Sequence, residues 1–278
     1  VARQTGAELK FMECETDGTL TDETIQTVIN EKTKLVAVAQ VSNVLGCVNP
    51  IEKIVARAHE VGAVVVMDGA QSVPHMPVDV QKLDVDFMAF SGHKLMGPMG
   101  IGVLYGRKVL LEEMPPFLTG GEMIDSVTRE GAVFAELPYK FEAGTVNAAG
   151  AAGLAAAIDY LNQVSFDFIQ EQELALTQRA MEGLAKVPHV HVMGSEDPAN
   201  HTGIVSFTVE GVHPHDVSEI LASDGIDVRA GHHCAQPLLQ YLGTASTTRV
   251  SLAFYNTEDE IRAFLESLGG LRRKMGYE

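Results

Sequence analysis

The chain has 278 residues, which is enough for one large domain or two modest ones. Its 46% hydrophobic and 21% charged residues are ordinary for a globular protein and exclude a collagen, a coiled coil or a generally disordered chain. The formal net charge of -17 argues against nucleic acid as a partner, because DNA binding depends on lysine and arginine neutralising phosphates.

Cysteine content and apolar runs indicate where the protein works. The three cysteines are too few and too scattered for a disulfide scaffold, and their odd number leaves at least one thiol free, which favours a reducing compartment. We therefore expect a cytoplasmic protein. The longest apolar runs, such as residues 63–67, fall far short of the ~20 residues that span a bilayer, so we expect no membrane partner.

The first half of the chain alternates strand-like and helix-like segments. After a short predicted strand, Thr21 caps a helix, and a second helix begins at Pro50 and ends at Gly62. The β-branched run KLVAVAQV is typical of a strand buried on both faces of a parallel sheet. The predicted strands cover residues 8–14, 34–41, 63–67, 87–90 and 102–105, the last antiparallel to the one before it. This order predicts an α/β sheet with right-handed crossovers.

The second half of the chain has a different pattern. Residues 115–146 are rich in proline, glycine and polar groups and predict a long ordered loop. Two helices follow, AAGAAGLAAAIDYLN and a segment from about 166 to 186. From Pro188 onward, short strands mix with helices around 214–223 and 258–268. We therefore expect two domains, a mostly parallel mixed sheet in residues 1–150 and a smaller α+β domain in residues 151–278.

Asp68 and Lys94 stand immediately after successive predicted strands, at the sheet edge where open α/β sheets place their ligands. Alone, each residue is more often structural, with Asp68 capping a helix and Lys94 solvated. A buried carboxylate at this edge would need a partner. Together, a lysine that can form an imine and an aspartate for a pyridine nitrogen are what pyridoxal phosphate requires.

A second cluster, RAGHHCAQP, surrounds Cys234 with two histidines ahead of a helix-like segment. Thiols near cations or helix N-termini become nucleophiles, although a buried inert cysteine is the commoner case. A metal site is the weaker interpretation, because adjacent side chains on an extended segment cannot all converge on one ion. Cys14 and Cys47 have no such surroundings, and we interpret both as structural.

Two further elements bear on ligand binding. Arg249 could pair with the carboxylate of an amino-acid substrate, although a lone arginine is more often part of a surface ion pair. The dipeptide Gly144-Thr145 precedes a helix and suits an anion, with ordinary capping by Thr145 or Asn147 as the equal alternative.

These motifs occur together in one order along nearly the whole chain: VSNVLG at 41–46, MDGAQS at 67–72, FSGHK at 90–94, FEAGT at 141–145, RAGHHCAQP at 229–237 and TRVSLAFYN at 248–256. In this combination the chain resembles the SufS/CsdA-like (group II) cysteine desulfurases, which are class V aminotransferase-like enzymes of fold type I. The resemblance implies a fold-type I large domain with a mostly parallel mixed sheet and a smaller α+β C-terminal domain. It also implies pyridoxal 5'-phosphate as the cofactor.

The resemblance implies a role for each residue around the cofactor. Lys94 would be the Schiff-base lysine and the base at the substrate Cα, and Asp68 would pair with the pyridinium nitrogen. Gln71 would hydrogen-bond the phenolic oxygen. Ser91 and His93 would hold the phosphate, with His93 also counted among the catalytic residues.

The resemblance also implies how substrate and partners are bound. Thr145 would reach the phosphate of the neighbouring subunit, which implies a homodimer. Asn43, also counted among the cofactor-binding residues, and Arg249 would hold the carboxylate of L-cysteine. Cys234 would attack the substrate sulfur, giving a persulfide and L-alanine. An acceptor protein would then take the sulfur toward iron–sulfur cluster assembly.

The sequence departs from the family at its N-terminus. It has no initiator methionine and no signal peptide, and it opens directly into what reads as secondary structure. Family members carry a preceding section with the first strands, a phosphate-binding helix start and a histidine that stacks on the cofactor. We therefore expect an active parent enzyme and a truncated chain, incomplete at its N-terminus.

Two alternatives stay open. One is a selenocysteine lyase or another class V enzyme. Cys234 distinguishes a cysteine desulfurase from these enzymes, because only persulfide formation needs a protein thiolate. The other is a catalytically inactive fragment that serves as a binding module.

Overall fold

The structure, a computed structural model, describes residues 1–277. The β-strands are β1 (Leu35–Ala39), β2 (Val64–Asp68), β3 (Phe87–Ser91), β4 (Gly102–Gly106), β5 (Ile124–Val127), β6 (Ala132–Phe134), β7 (Val190–Val192), β8 (Ile204–Val209), β9 (Arg229–Gly231) and β10 (Thr247–Ser251). The α-helices are α1 (Ala2–Thr5), α2 (Asp22–Val28), α3 (Ile51–Glu60), α4 (Val80–Leu83), α5 (Lys108–Glu113), α6 (Ala148–Val164), α7 (Phe166–Leu184), α8 (Pro214–Ser223), α9 (Gln236–Tyr241) and α10 (Glu258–Lys274).

The first sheet has the order β1-β2-β3-β4. Strands β1, β2 and β3 run parallel, and β4 runs antiparallel to β3, which confirms the predicted mixed, mostly parallel sheet. In the register, Ala39 pairs with Asp68 and Asp68 pairs with Ala89. The carboxyl ends of the three parallel strands therefore meet at one edge.

One face of this sheet packs on helices. The apolar side chains of α3 recur at helical spacing and are buried, namely Ile51, Ile54, Val55 and Ala58. They form a core with residues of α2 and with the inward side chains of β1 and β2, which include Val36 and Val65.

The prediction that the run 34–41 is buried on both faces is wrong. Val36 is buried, whereas the alternate residue Leu35 is 57% exposed and Ala37 is exposed too. The physical reason is that the side chains of β1 alternate between a face that packs on helices and an exposed face.

Two other predictions are wrong. Residues 8–14 form no strand, because no other strand of the described chain pairs with them and most of them are exposed. The segment 115–146 is not a plain loop, since β5 and β6 form an antiparallel hairpin within it. A turn closes the hairpin, in which Thr128 N donates to Gly131 O at 2.8 Å.

The second sheet has the order β7-β8-β10-β9 and is antiparallel throughout, which agrees with the predicted α+β pattern. Helices α7, α8 and α10 cover it around a separate core that includes Phe207, Leu221 and Leu268. Helix α10 begins at a capping box made by Thr257 and Glu260, and it continues to Lys274, beyond the predicted end at residue 268.

The turn after β1 joins the two sheets. Ser206 Oγ, on β8, donates to Val44 O at 2.6 Å, and Thr202 N donates to Gly46 O at 3.1 Å. Gly46 has φ 70°, and a Cβ there would lie 2.5 Å from Ile204 O. Glycine is therefore required where the turn meets β8.

A buried carboxylate connects the same parts of the molecule. Glu173 on α7 is 4% exposed, and its Oε1 lies 2.9 Å from His75 Nδ1. The same oxygen accepts a hydrogen bond from Phe254 N at 3.2 Å. His75 follows β2 and Phe254 follows β10, so one carboxylate contacts segments that follow strands of both sheets.

We predict that Glu173→Ala lowers the free energy of unfolding by about 3 kcal/mol, because it leaves the half-buried imidazole of His75 and a backbone N–H without their acceptor. Urea denaturation monitored by circular dichroism measures the change. Glu171→Ala is the matched control, since Glu171 is exposed on the same helix, and it should change stability by less than about 0.5 kcal/mol. Equal stability of the two variants would contradict the prediction.

Candidate active site

Asp68 is the last residue of β2 and lies at the carboxyl edge of the first sheet. It is exposed, so the expectation that this carboxylate is buried is wrong. Its Oδ1 accepts a hydrogen bond from Ala70 N at 2.8 Å and so caps a turn rather than a helix. This bond fixes the carboxylate at the strand end.

Lys94 lies in a short 3-10 helix, Gly92–Leu95, that directly follows β3, the strand paired with β2. Leu95 is 2% exposed and anchors the helix, whereas His93 and Lys94 are exposed. Gly92 N donates to Ile101 O at 2.9 Å, and a Cβ on Gly92 would lie 2.8 Å from a methyl group of Ile101. The glycine therefore lets the lysine turn pack closely against the start of β4.

Gln40 lies at the same edge and was not among the predicted site residues. Its N donates to Asp68 O at 2.9 Å, and the residue is 7% exposed. Its Oε1 is buried and has no hydrogen-bond partner within residues 1–277. The signal in the sequence is a polar residue near the end of the apolar run KLVAVAQV.

The groups at this edge fit pyridoxal phosphate. Five polar side chains lie at or just after the ends of the two adjacent parallel strands β2 and β3. They are the amine of Lys94, the carboxylate of Asp68, the amide of Gln71, the hydroxyl of Ser91 and the imidazole of His93. They match the aldehyde, ring nitrogen, phenolic oxygen and phosphate of that cofactor. The buried, unpartnered acceptor of Gln40 beside Asp68 also marks this edge as a place for a polar ligand.

Cys234 lies in a turn between β9 and α9. His233 and Cys234 have φ angles of 52° and 61°, which residues with a Cβ rarely adopt. Each such residue costs about 1–3 kcal/mol and persists only where its surroundings fix it. Cys234 is exposed, and its Sγ lies 3.8 Å from Arg229 Nη2.

His233 anchors this turn. It is 2% exposed, and its Nε2 lies 2.8 Å from the hydroxyl of Thr247 on β10. Its carbonyl oxygen accepts a hydrogen bond from Asn43 Nδ2 at 2.6 Å. Its Nδ1 is buried and finds no partner in the described part of the chain.

Arg249 on β10 contacts the turn after β1 and so connects the two sheets. Its Nη1 donates to Asn43 O at 2.8 Å, and its Nε donates to Ser251 Oγ at 3.1 Å. No carboxylate of residues 1–277 forms an ion pair with it, so the surface ion pair considered as an alternative is not formed. Burial, and then the charge of Arg229, lower the pKa of Arg249.

The two guanidinium groups also act on His233. Burial first, and then the charges of Arg249 and Arg229, lower the pKa of His233 from 6.5 to about 4. The imidazole is therefore neutral at neutral pH. In an acidic protein, this concentration of positive charge beside Cys234 favours an anionic ligand.

This shift predicts a pH dependence of stability. Between pH 6.5 and about 4, the unfolded chain takes up a proton at His233 that the folded chain does not, so the free energy of unfolding falls as the pH falls through this window. Besides Arg249 and Arg229, His232 also opposes the charged form. Urea titrations at several pH values between 6.5 and about 4 measure the free energy of unfolding. This free energy should fall less with falling pH in His233→Asn than in the wild type.

The exposed His215 provides the matched control. His215→Asn should keep the decline seen in the wild type. An equal decline in His233→Asn and the wild type would contradict the assignment to His233.

Thr145 lies apart from these contacts. It is exposed ahead of α6, and Asn147 rather than Thr145 caps the helix, with Oδ1 accepting from Gly150 N at 2.9 Å. The hydroxyl of Thr145 makes no hydrogen bond to any residue that the structure describes. Of the two capping alternatives, the structure therefore shows Asn147.

The other two cysteines differ from Cys234. Cys47 Sγ donates to Gly18 O at 3.5 Å, and burial raises the pKa of this thiol to about 11. Burial also raises the pKa of Cys14. Both therefore favour the protonated thiol, which agrees with a structural role.

Within residues 1–277, no cluster of three or more histidine, cysteine, aspartate or glutamate side chains could hold a metal ion. No helix in the same residues has the length and hydropathy needed to cross a membrane.

The structure thus joins Asn43, Arg249 and the Cys234 turn by direct contacts, and it places Asp68 and Lys94 on adjacent strand ends. Lys94 and Cys234 share no hydrogen bond or ion pair in the described chain. Sequence reasoning did not single out Arg229 or Thr247. The position of Arg229 in the motif RAGHHC could have indicated a role at the site, whereas no feature of the sequence indicated one for Thr247.

Comparison with known proteins gives a consistent result. The family model described as Aminotransferase class-V matches residues 1–264. A protein of Halalkalibacterium halodurans named a probable cysteine desulfurase is 49% identical over 277 residues, covering 100% of this chain and 68% of that protein. An apo cysteine desulfurase of Thermococcus onnurineus NA1 is 43% identical with a TM-score of 0.94, covering 98% of this chain and 68% of that one.

A more distant solved structure bears on the cofactor. A mutant of C-DES, with glycine covalently linked to its PLP cofactor, is 26% identical with a TM-score of 0.83, covering 96% of this chain and 69% of that one. The chain spans about two thirds of the length of the curated relatives it matches, from 62% to 68%.

Proposed function

The chain belongs to the class V aminotransferase family, and we propose that it is a pyridoxal phosphate-dependent cysteine desulfurase. Its substrate is L-cysteine, and its products are L-alanine and a persulfide on Cys234. An acceptor protein of iron–sulfur cluster assembly then takes the sulfane sulfur.

The observation that carries this proposal is the surroundings of Cys234. The thiol is exposed, Arg229 Nη2 lies 3.8 Å from it, and Arg249 on β10 pairs with Arg229 on β9. An accessible sulfur beside fixed positive charge is suited to attack a substrate that the same charges hold.

The substrate carboxylate is assigned to Arg249 and Asn43. Arg249 donates to Asn43 O and Ser251 Oγ through Nη1 and Nε, which leaves Nη2 without a bond in the described chain. A guanidinium group binds a carboxylate with directed hydrogen bonds, so it orients the amino acid as well as attracting it.

Five residues are assigned to the cofactor. Lys94 holds it covalently, Asp68 pairs with its ring nitrogen, Gln71 contacts its phenolic oxygen, and Ser91 and His93 contact its phosphate. Asn43 is assigned both to the cofactor and to the substrate. The chemistry that pyridoxal phosphate supplies when bound is the withdrawal of electrons from the substrate Cα.

The residues of the chain perform the remaining steps. Once the amine of the substrate has displaced it, Lys94 Nζ is free to move the proton at the substrate Cα. The sulfur of Cys234 attacks the substrate sulfur, so that an S–S bond forms while the Cβ–S bond breaks. The electron pair of the broken bond stays with the carbon fragment, which is protonated to give alanine.

A homodimer with shared sites belongs to this proposal, because Thr145 is assigned to the phosphate of the neighbouring subunit. It is supported by large apolar side chains that segment 115–147 leaves exposed, namely Phe117, Leu118, Val133, Phe134 and Tyr139. Apolar patches of this kind mark surfaces where proteins associate.

Two further assignments accompany the function. We place the protein in the cytoplasm, because Cys14, Cys47 and Cys234 are all free thiols.

We divide it into domains of residues 1–150 and 151–278, since each of the two larger sheets has its own core.

The experiment that tests the function is product analysis. The chain is incubated with pyridoxal phosphate, L-cysteine and a thiol reductant, and alanine and sulfide are quantified. We expect equal molar amounts of both. Absence of alanine from protein that has taken up the cofactor would contradict the assignment.

A further inference from the structure

We propose that Thr247 and His233 are positioning residues that hold the turn presenting Cys234, an inference that rests on the function proposed above. Neither residue is assigned to substrate or cofactor. Their effect on the reaction is exerted through the backbone that carries the thiol.

The turn needs such support because of its backbone. His233 and Cys234 are consecutive residues with positive φ, and neither is glycine. Without surroundings that fix it, a turn of this kind relaxes to negative φ and carries the thiol to another position. The contacts that fix it are therefore the ones that decide where Sγ lies.

His233 provides these contacts on two sides. Its imidazole is buried with Nε2 at 2.8 Å from Thr247 Oγ1, and its carbonyl oxygen accepts from Asn43 Nδ2. Within residues 1–277, the contacts of Cys234 are weaker and local, with its N at 3.2 Å from His232 Nδ1 and its Sγ at 3.8 Å from Arg229 Nη2. The anchor of the turn is therefore His233, one residue before the nucleophile.

Thr247 holds the His233 imidazole in place through its hydroxyl. It is fully buried on β10, and its hydroxyl is the one hydrogen-bond partner of the His233 ring within residues 1–277. Removal of the hydroxyl leaves both ring nitrogens buried and unsatisfied, which favours departure of the ring from its site.

The strand pairing ties this anchor to the substrate site. Thr247 pairs with Gly231, where the turn begins, and Arg249 pairs with Arg229. Thr247 and Arg249 are two residues apart on one strand, so they lie on the same face. One strand therefore sets both the group assigned to the substrate carboxylate and the anchor of the thiol.

The test compares Thr247→Val, which keeps the shape but lacks the hydroxyl, with Thr247→Ser, which keeps the hydroxyl. Hydrogen–deuterium exchange of the peptide that spans residues 229–237 reports the turn, and steady-state kinetics report the reaction. We expect exchange to be at least about tenfold faster in Thr247→Val. We expect kcat to fall about tenfold or more, with KM and cofactor content unchanged, because small misplacement of a reacting group has effects of this size.

Thr247→Ser should stay within about twofold of the wild type in both measurements. The proposal would be overturned if exchange and kcat in Thr247→Val equalled those of the wild type. It would also be overturned if kcat fell equally in Thr247→Val and Thr247→Ser, because the shape of the side chain rather than its hydrogen bond would then matter. If Thr247→Val does not fold, Thr247→Ala is compared with Thr247→Ser by the same criteria.

The exchange measurement keeps this proposal separate from the proposed function. If the wild type makes no alanine, the function fails, and exchange alone then decides whether Thr247 holds the turn. If the wild type is active and Thr247→Val is indistinguishable from it, the positioning role fails while the function stands.

Discussion

Replacing Cys234 with serine is expected to reduce cysteine desulfurase turnover by roughly 10³-fold or more, since loss of a covalent nucleophile has effects of at least this size. A serine hydroxyl can occupy the same place beside Arg229, but it cannot accept sulfur to form a persulfide. The substitution changes one atom of an exposed side chain, so folding and cofactor content should be unaffected. Alanine formation measures the loss, and absorbance of the bound cofactor measures the content.

Cys14→Ser is the matched control for this variant. Burial raises the pKa of Cys14, and its backbone carbonyl rather than its thiol accepts the hydrogen bond from Tyr241. Its turnover should remain within about twofold of the wild type. Turnover near the wild-type value in Cys234→Ser would exclude the proposed nucleophile and favour a lyase that needs no protein thiol.

Replacing Lys94 with alanine is expected to remove covalent attachment of pyridoxal phosphate altogether. Lys94 is exposed at the carboxyl edge of the first sheet, and its amine makes no ion pair in the part of the chain that the structure describes. An amine free of ion pairs is able to condense with an aldehyde. Borohydride reduction followed by intact-mass measurement should show a pyridoxyl adduct on the wild type and none on Lys94→Ala.

Turnover of Lys94→Ala should fall by at least about 10²-fold, because the variant also loses the group that moves the Cα proton. Lys82→Ala is the matched control, since Lys82 is exposed on the short helix α4, before β3, and it should retain the adduct and the activity. A reduced adduct at another lysine in Lys94→Ala would contradict the assignment.

The fold could be predicted where local pattern and long-range packing agree. The spacing of Ile51, Ile54, Val55 and Ala58 indicates a one-faced helix, and the structure buries that face. The run around Val36 was predicted as a strand correctly, but its burial on both faces was not. Burial of the second face depends on what lies across the sheet, and the sequence of one strand does not contain that information.

The hairpin in residues 115–146 escaped prediction for a related reason. Strands β5 and β6 are short and mostly exposed, so they lack the alternating apolar pattern that marks a half-buried strand. Their pairing relies on backbone hydrogen bonds and on the turn at Thr128, which composition alone does not distinguish from a loop.

The candidate site was predictable in part. Asp68 and Lys94 follow neighbouring parallel strands, so their shared edge follows from topology alone. Asn43 bonds to His233 and Arg249 across 190 and 206 residues of chain, and this meeting depends on how the turn after β1 packs against β8. Thr247 lies in a run of small polar residues, and only the three-dimensional structure shows that its hydroxyl faces a buried histidine.

The most direct test of the central claim is the mass of the proteolytic peptide that contains Cys234 after the cofactor-loaded protein has reacted with L-cysteine without reductant. We predict an added mass of one sulfur atom on that peptide, removed by later treatment with a thiol reductant, while peptides with Cys14 and Cys47 stay unchanged. Alanine formation with no sulfur retained on Cys234 would contradict the claim.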